Sequence, residues 1–217
     1  MEKLVSGIVR FKKEAFEARR ALFAELANGQ SPEVLFITCA DSRIDPNLVT
    51  QTEPGDLFIC RNAGNIVPPH VKAAGGVTAS IEYAVAVLGV KDIVVCGHTD
   101  CGAMKAALNP GALDGLPHVC NWLDNTRAAV EVVRARYGQC TPNELDAVTE
   151  QNVLLQLQHL RTHPAVAARL ATGDIELHGW VYRIEAGEVR CFDERRSAFV
   201  ALGERYASLL AAASHAA

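Results

Sequence analysis

No dense run of lysine and arginine occurs in these 217 residues, and the formal net charge is −4, so nothing attracts a nucleic-acid backbone by charge. No apolar stretch reaches bilayer length before a charge or a glycine interrupts it. The opening residues Met1-Glu2-Lys3-Leu4 lead into a charged helical pattern and lack the apolar segment of a secretion signal. The expectation is a soluble, cytoplasmic protein with no nucleic-acid and no membrane partner. A disulfide framework is missing too, because the seven cysteines, at 39, 60, 96, 101, 120, 140 and 191, are odd in number and scattered. Internal repeats and low-complexity segments are likewise absent. What remains is an ordinary globular composition, 49 % apolar and 21 % charged, at a length that fits one domain with a full core.

The pattern along the chain alternates strand and helix. Leu4, Ile8, Phe11, Ala15, Ala18, Leu22 and Leu26 recur at steps of three and four, which predicts one amphipathic helix ended by Asn28-Gly29. Strands follow over 34–40 and 56–60, then a polar loop over 61–65, a buried helix over 77–88 and a third strand after Asp92. Asn109-Pro110-Gly111 breaks the helix that starts after Cys101, and helical patterns resume over 122–137 and 144–161. The alternating segment 177–184 pairs with 189–192 as a hairpin, and a last helix runs over 197–213. This order implies an α/β fold: a mainly parallel central sheet flanked by helices, with an amino-terminal helical arm and a late β-hairpin. The expected division is an arm over 1–29, a core over 30–195 and a C-terminal helix over 196–217, all in a single domain.

Cysteines 60, 96 and 191 sit in apolar runs and read as small buried hydrophobes, whereas Cys120 and Cys140 lie in polar surroundings and have no assigned role. The other two cysteines are different. Cys39 ends one apolar run, Val34-Leu35-Phe36-Ile37-Thr38, while His98 and Cys101 follow another, Ile93-Val94-Val95-Cys96. Two thiolates and one imidazole thus meet at the carboxyl ends of strands, where active sites of open α/β sheets collect. That is the ligand set of a zinc site whose fourth position stays open. Asp41 and Arg43 follow Cys39 at steps of two, and a bidentate guanidinium holds a carboxylate away from a neighbouring metal.

With these residues in view, the chain resembles the β-class carbonic anhydrases. The family pattern Cys-x-Asp-x-Arg stands at Cys39, Asp41 and Arg43, and His-x-x-Cys-Gly at His98, Cys101 and Gly102. Further matches are the Arg-Asn-x-x-Asn loop from Arg61 to Asn65, the helix segment Ile81-Glu82-Tyr83-Ala84, and the late strand His178-Gly179-Trp180-Val181-Tyr182. The resemblance covers roughly residues 20 to 195. It implies a lyase (carbonate dehydratase) that interconverts CO2 and bicarbonate, with one Zn2+ per chain on Cys39, His98 and Cys101, hydroxide on the metal attacking CO2, and Asp41 with Arg43 as catalytic residues. It also implies substrate contacts at Gln30, Phe58, Tyr83 and Gly102, with Phe58 and Tyr83 serving a neighbouring subunit of a homodimer or larger homo-oligomer. A switchable subgroup carries a tryptophan three residues before the first cysteine, completing a bicarbonate pocket with an arginine and a tyrosine. Here that position is Phe36, although Arg61 and Tyr182 match the other two, so the Gln30, Phe58 and Tyr83 set points to the plant-like subgroup.

Zinc lowers the pKa of its water from about 15.7 towards 7, and two thiolates temper that effect, so activity is expected at mildly alkaline pH. His70 reads as a solvated loop histidine, which leaves the proton shuttle open. A hydrolase of carbonyl sulfide or carbon disulfide on the same scaffold is the catalytic alternative, separated only by pocket access. A non-catalytic zinc protein is the other, but structural zinc takes four protein ligands and no fourth Cys or His stands near either motif. A thiol enzyme with Cys39 as its nucleophile is a third.

Overall fold

Six strands form one sheet in the order β2-β1-β3-β4-β5-β6: β1 Val34–Cys39, β2 Leu57–Asn62, β3 Asp92–His98, β4 Glu176–Arg183, β5 Glu188–Asp193 and β6 Ala198–Ala201. The first four are parallel and the last two antiparallel, as the strand–helix alternation and the hairpin implied. This computed structural model describes residues 1–71, 75–138 and 140–214, so 215–217 of the expected last segment lie outside the described residues. The chain divides into two compact units, Met1–Ser31 and Pro32–Ala217.

In the first unit the expected single helix is instead three pieces, Glu2–Lys13, Ala15–Ala18 and Arg20–Leu26. The interruptions at Glu14 and Arg19 have a visible return. In a straight helix Phe11 and Phe23 stand roughly 18 Å apart; here their ring centroids are 5.8 Å apart, and Phe16 stacks on Phe23 at 5.2 Å. Ring packing has overridden helix continuity. Leu4, Val5, Ile8 and Val9 stay exposed on the first helix.

The second unit holds the core. Leu35, Ile37, Ile93 and Val95 point to one face of the sheet and are fully buried beneath three helical segments, which bring Ile81, Ala84, Val153, Leu160 and Val166. Each such aliphatic side chain contributes roughly 1.5–3 kcal/mol when taken from water. Those segments are 76–88, Leu145–Leu160 and Pro164–Thr172, the last of which has no counterpart in the sequence reading. The first is α-helical over Gly76–Glu82 and widens to a π-helix over Tyr83–Leu88. Helix Leu145–Leu160 is entered through a capping box of Thr141 and Glu144 with Pro142 between them. The opposite face presents Phe36, Val94 and Cys96, and a groove of about 440 Å³ there is lined by Trp180, Tyr206, Leu209 and others.

Two boundaries differ from expectation. Residues 198–201, expected as helix, form β6 because Phe199 pairs with Phe192 of β5 and is buried with its ring 5.5 Å away; helix resumes only at Leu202. Arg61 and Asn62, expected in a loop, extend β2 because they pair with Thr38 and Cys39 of β1.

Candidate metal centre

The chain runs from β1 to β2 on one side of the sheet and to β3 on the other, so the strand order reverses between β1 and β3. A crevice opens at such a switch point, at the carboxyl edge. Cys39 is the last residue of β1, His98 the last of β3, and Cys101 caps the helix Gly102–Leu108. Their ligating atoms all lie within 4.8 Å of one another, and the side chains are buried, His98 completely.

The environment of His98 decides what this cluster is for. Its Nδ1–H donates to the Thr99 carbonyl at 2.8 Å, which leaves Nε2 as the lone-pair nitrogen, and Nε2 is buried with no hydrogen-bond partner. A buried polar atom left in this state costs about 1–3 kcal/mol unless something binds it. Thr99 is itself fixed: its N–H donates to the Tyr182 carbonyl at 2.9 Å, its hydroxyl donates to Glu185 at 2.9 Å, and it accepts the Ile184 N–H at 3.0 Å. An imidazole oriented through its far nitrogen, aimed at two sulfurs, fits a zinc ion and is the usual support of a ligating histidine. Among the described residues a second trio, Asp92, Glu176 and His178, also has ligand-type atoms within 4.8 Å of one another. There, however, His178 Nε2 bonds Asp92 at 2.7 Å and Nδ1 bonds the Tyr206 hydroxyl at 3.1 Å, so neither ring nitrogen is left over.

The thiol of Cys39 is pushed well below its usual range, first by its hydrogen bond with Cys101, and further by His98 and the Gly64 N–H, against the effect of burial. Cys101 is pushed up, chiefly by Cys39 and by burial, although the Ala103 and Met104 N–H groups at the helix start pull it down. The helix start therefore favours the Cys101 thiolate, a contribution that the neighbouring Cys39 outweighs. Burial pushes Cys96, two positions before His98 on β3, up to about 12. Cys60 and Cys191 are buried as expected, and Cys120 is exposed.

Asp41 and Arg43 form a fork: Nε to Oδ1 at 3.0 Å and Nη2 to Oδ2 at 2.8 Å, with the Arg43 backbone N–H also donating to Oδ1 at 2.9 Å. The Arg43 side chain holds the Asp41 carboxyl well below the usual carboxylate range. Asp41 Oδ2 stands 3.8 Å from His98 Nε2, beside the ligand nitrogen but claimed by arginine. Sequence reasoning missed a third member. Asp100, held at φ +58°, accepts from Arg43 Nη1 at 2.8 Å and pairs with Lys105, so one guanidinium ties the Cys39 turn to the His98 turn. Its place between His98 and Cys101 was the available signal.

Arg61 lies at the edge of the cluster. Its Nε donates to the Cys39 carbonyl at 3.0 Å, and Nη2 donates to the Asp41 and Ile44 carbonyls at 2.7 and 2.9 Å. Phe36 is buried and meets Trp180 edge-on, 6.0 Å between centroids. Phe58 and Tyr83 face each other with centroids 6.0 Å apart. Phe58 is paired with Leu35, four residues before Cys39, so the structure does not bring this pair to the metal edge of its own chain. Gly102 opens the helix after Cys101 and is exposed. Gln30 is exposed in the first unit, and His70 is exposed beside His163 with ring centroids 5.6 Å apart.

The carbonic anhydrase family model matches residues 34–189. A carbonic anhydrase of Pseudomonas aeruginosa is 51 % identical over 94 % of this chain and 93 % of its own length. The solved β-carbonic anhydrase CcaA superposes with a TM-score of 0.90 at 46 % identity, covering 93 % of this chain and 98 % of that one. One of two tetrameric β-carbonic anhydrases from the ascomycete Sordaria macrospora superposes at 0.79 with 30 % identity, over 92 % of this chain and 98 % of its own.

Proposed function

This chain belongs to the β class of the carbonic anhydrase family, and from that membership we propose the division of labour among its residues. Its reaction is the zinc-dependent hydration of CO2 to bicarbonate and a proton, and Cys39, His98 and Cys101 form a group able to bind one metal ion. Bound there, zinc supplies a Lewis acid and a hydroxide near neutral pH. The observation that carries the reading is the unpartnered, fully buried His98 Nε2 converging with two sulfurs while Asp41 is held by Arg43.

In this reading Asp41 accepts a hydrogen bond from the nucleophile and sets its direction, and Arg43 keeps both carboxylate oxygens from becoming a fourth ligand. Gln30, Phe58, Tyr83 and Gly102 hold CO2, with Phe58 and Tyr83 acting in the site of a neighbouring copy. That assignment is supported by the register that pairs Phe58 with Leu35, four residues before Cys39, and by Tyr83 facing Phe58, and it makes the active form a homo-oligomer. The plant-like subgroup is favoured because Phe36 has no N–H to donate and Arg61 spends Nε and Nη2 on backbone carbonyls. No helix among the described residues is long and apolar enough to cross a membrane, which suits the cytoplasm.

A CO2 hydration assay with matched zinc analysis tests the reading. Wild type should hold one zinc per chain and turn over CO2, and Cys101→Ala should lose most of both. If Cys101→Ala keeps full zinc and normal turnover, the ligand assignment is wrong.

A further inference from the structure

Helix Leu145–Leu160 carries two amides on its buried side, Asn152 at 1 % and Gln156 at 0 % exposure. Burying an amide against a sheet is costly unless its groups are paired, and a leucine would cover the same core face without that demand. Both amides reach one stretch of backbone, 64–67, and Gln156 Nε2 donates to the Asn125 carbonyl at 3.3 Å as well. Gln156 Oε1 accepts the Val67 N–H at 2.9 Å, Gln156 Nε2 donates to Asn152 Oδ1 at 2.8 Å, and Asn152 Nδ2 donates to the Gly64 carbonyl at 3.1 Å. The direction of this ladder is fixed at both ends, because a backbone N–H only donates and a carbonyl only accepts. Val67 forces Gln156 to present oxygen to the loop and nitrogen to Asn152. Asn152 is thereby forced to present its NH2 to Gly64.

Gly64 is the residue whose own N–H donates to Cys39 Sγ, at 3.3 Å. It is held at φ +83°, and a Cβ there would lie 3.0 Å from Ala103 Cβ and 3.1 Å from Met104 Cε, both in the helix that Cys101 caps. Gly64 is therefore held between the Cys101 helix on one side and Asn152 on the other. We infer that Asn152 is a positioning residue of the metal centre: by holding the Gly64 carbonyl it keeps the Gly64 N–H on the Cys39 sulfur and so sets how much charge that thiolate donates to a bound metal. Hydrogen bonds around a cysteine sulfur tune the metal it ligates, and loss of such outer partners commonly weakens metal binding. The inference rests on Cys39 being a ligand, and it adds a residue 113 positions away in sequence.

Cobalt substitution reads the sulfur directly. In Co2+-loaded Asn152→Leu the thiolate-to-metal charge-transfer band should move to longer wavelength, because a sulfur without its N–H donor gives up charge more easily. Zinc transfer from Asn152→Leu to a chelator should be about 10- to 100-fold faster than from wild type. Should the single variant not fold, Asn152→Ala, which strands the Gly64 carbonyl but leaves room for a water beside it and keeps Gln156 in place, still removes the side-chain grip on Gly64 and should show the same band shift. Val166→Ala, a truncation of a fully buried residue in Pro164–Thr172, lowers stability without touching the ladder and should keep the wild-type band. A wild-type band and release rate in the Asn152 variants would overturn the inference, as would an equal shift in Val166→Ala. A wild-type protein that takes up no Co2+ or zinc would instead sink the metal reading beneath it.

Discussion

At the scale of single residues, the centre is organised by which atoms are already engaged. The Arg43 guanidinium holds Asp41 through two bonds and Asp100 through two more, so it both restrains a carboxylate and joins the Cys39 and His98 turns. Arg43→Ala should therefore lose activity by roughly 100-fold or more while keeping most of its zinc, since misplacing a reacting group by about 1 Å has that effect. Hydration rate and metal content measured on one preparation check it, and parallel loss of both would show Arg43 to be a scaffold for the metal alone. The Asp41 carboxyl has its folded pKa depressed by Arg43. A depressed acid contributes stability that is complete above its unfolded value of about 3.9 and fades as pH falls towards the folded value. The denaturant midpoint of Asp41→Asn should accordingly trail wild type by a constant gap down to about pH 4, and the gap should close below that. A gap that widens in acid would reverse the sign of the argument.

At the scale of elements, one close approach governs the site. Helix Leu145–Leu160 runs over β3 and β4 so tightly that a Cβ on Gly97 would meet Val153 Cγ2 at 3.0 Å and Thr149 Cγ2 at 3.2 Å. Both neighbours are β-branched and stiff at χ1, so they yield poorly. Gly97→Ala should destabilise by about 1–3 kcal/mol, read from the denaturant midpoint, because overpacking of this kind forces side chains and backbone to shift. Gly102 makes the useful contrast. A Cβ there meets nothing within 4 Å, so Gly102→Ala should stay within about 0.5 kcal/mol of wild type. Any fall in CO2 turnover in that variant then reports on substrate room and not on folding.

At the scale of the whole molecule, the pairing of Phe58 with Tyr83 away from their own Cys39 makes a prediction about assembly. Sedimentation at micromolar concentration should show no dominant monomer. A mixed oligomer of Tyr83→Ala subunits and Cys101→Ala subunits should recover activity that neither variant has alone, since some sites then combine an intact metal group with an intact neighbouring tyrosine. Recovery no greater than the sum of the parents, or a fully active monomer, would return both aromatic residues to the interior of a single chain.

Short-range information was enough for the parallel core, for the gathering of Cys39, His98 and Cys101 into a group able to bind one metal ion, and for the Asp41–Arg43 pair: apolar runs ending at Cys39 and His98, and side chains at steps of two and three. It misplaced what non-local pairing decides. Phe199 reads as helix until β5 offers it Phe192, Arg61 reads as loop until β1 offers it Thr38, and the first helix reads as continuous until Phe11, Phe16 and Phe23 gather. Asn152 fits the helical repeat of its segment and gives no local sign that its amide answers Gly64, 88 residues earlier. Folding alone puts that amide on the Gly64 carbonyl and the Gly64 N–H on the Cys39 sulfur, because a hydrogen bond depends on separation in space and a pattern in sequence records only separation along the chain.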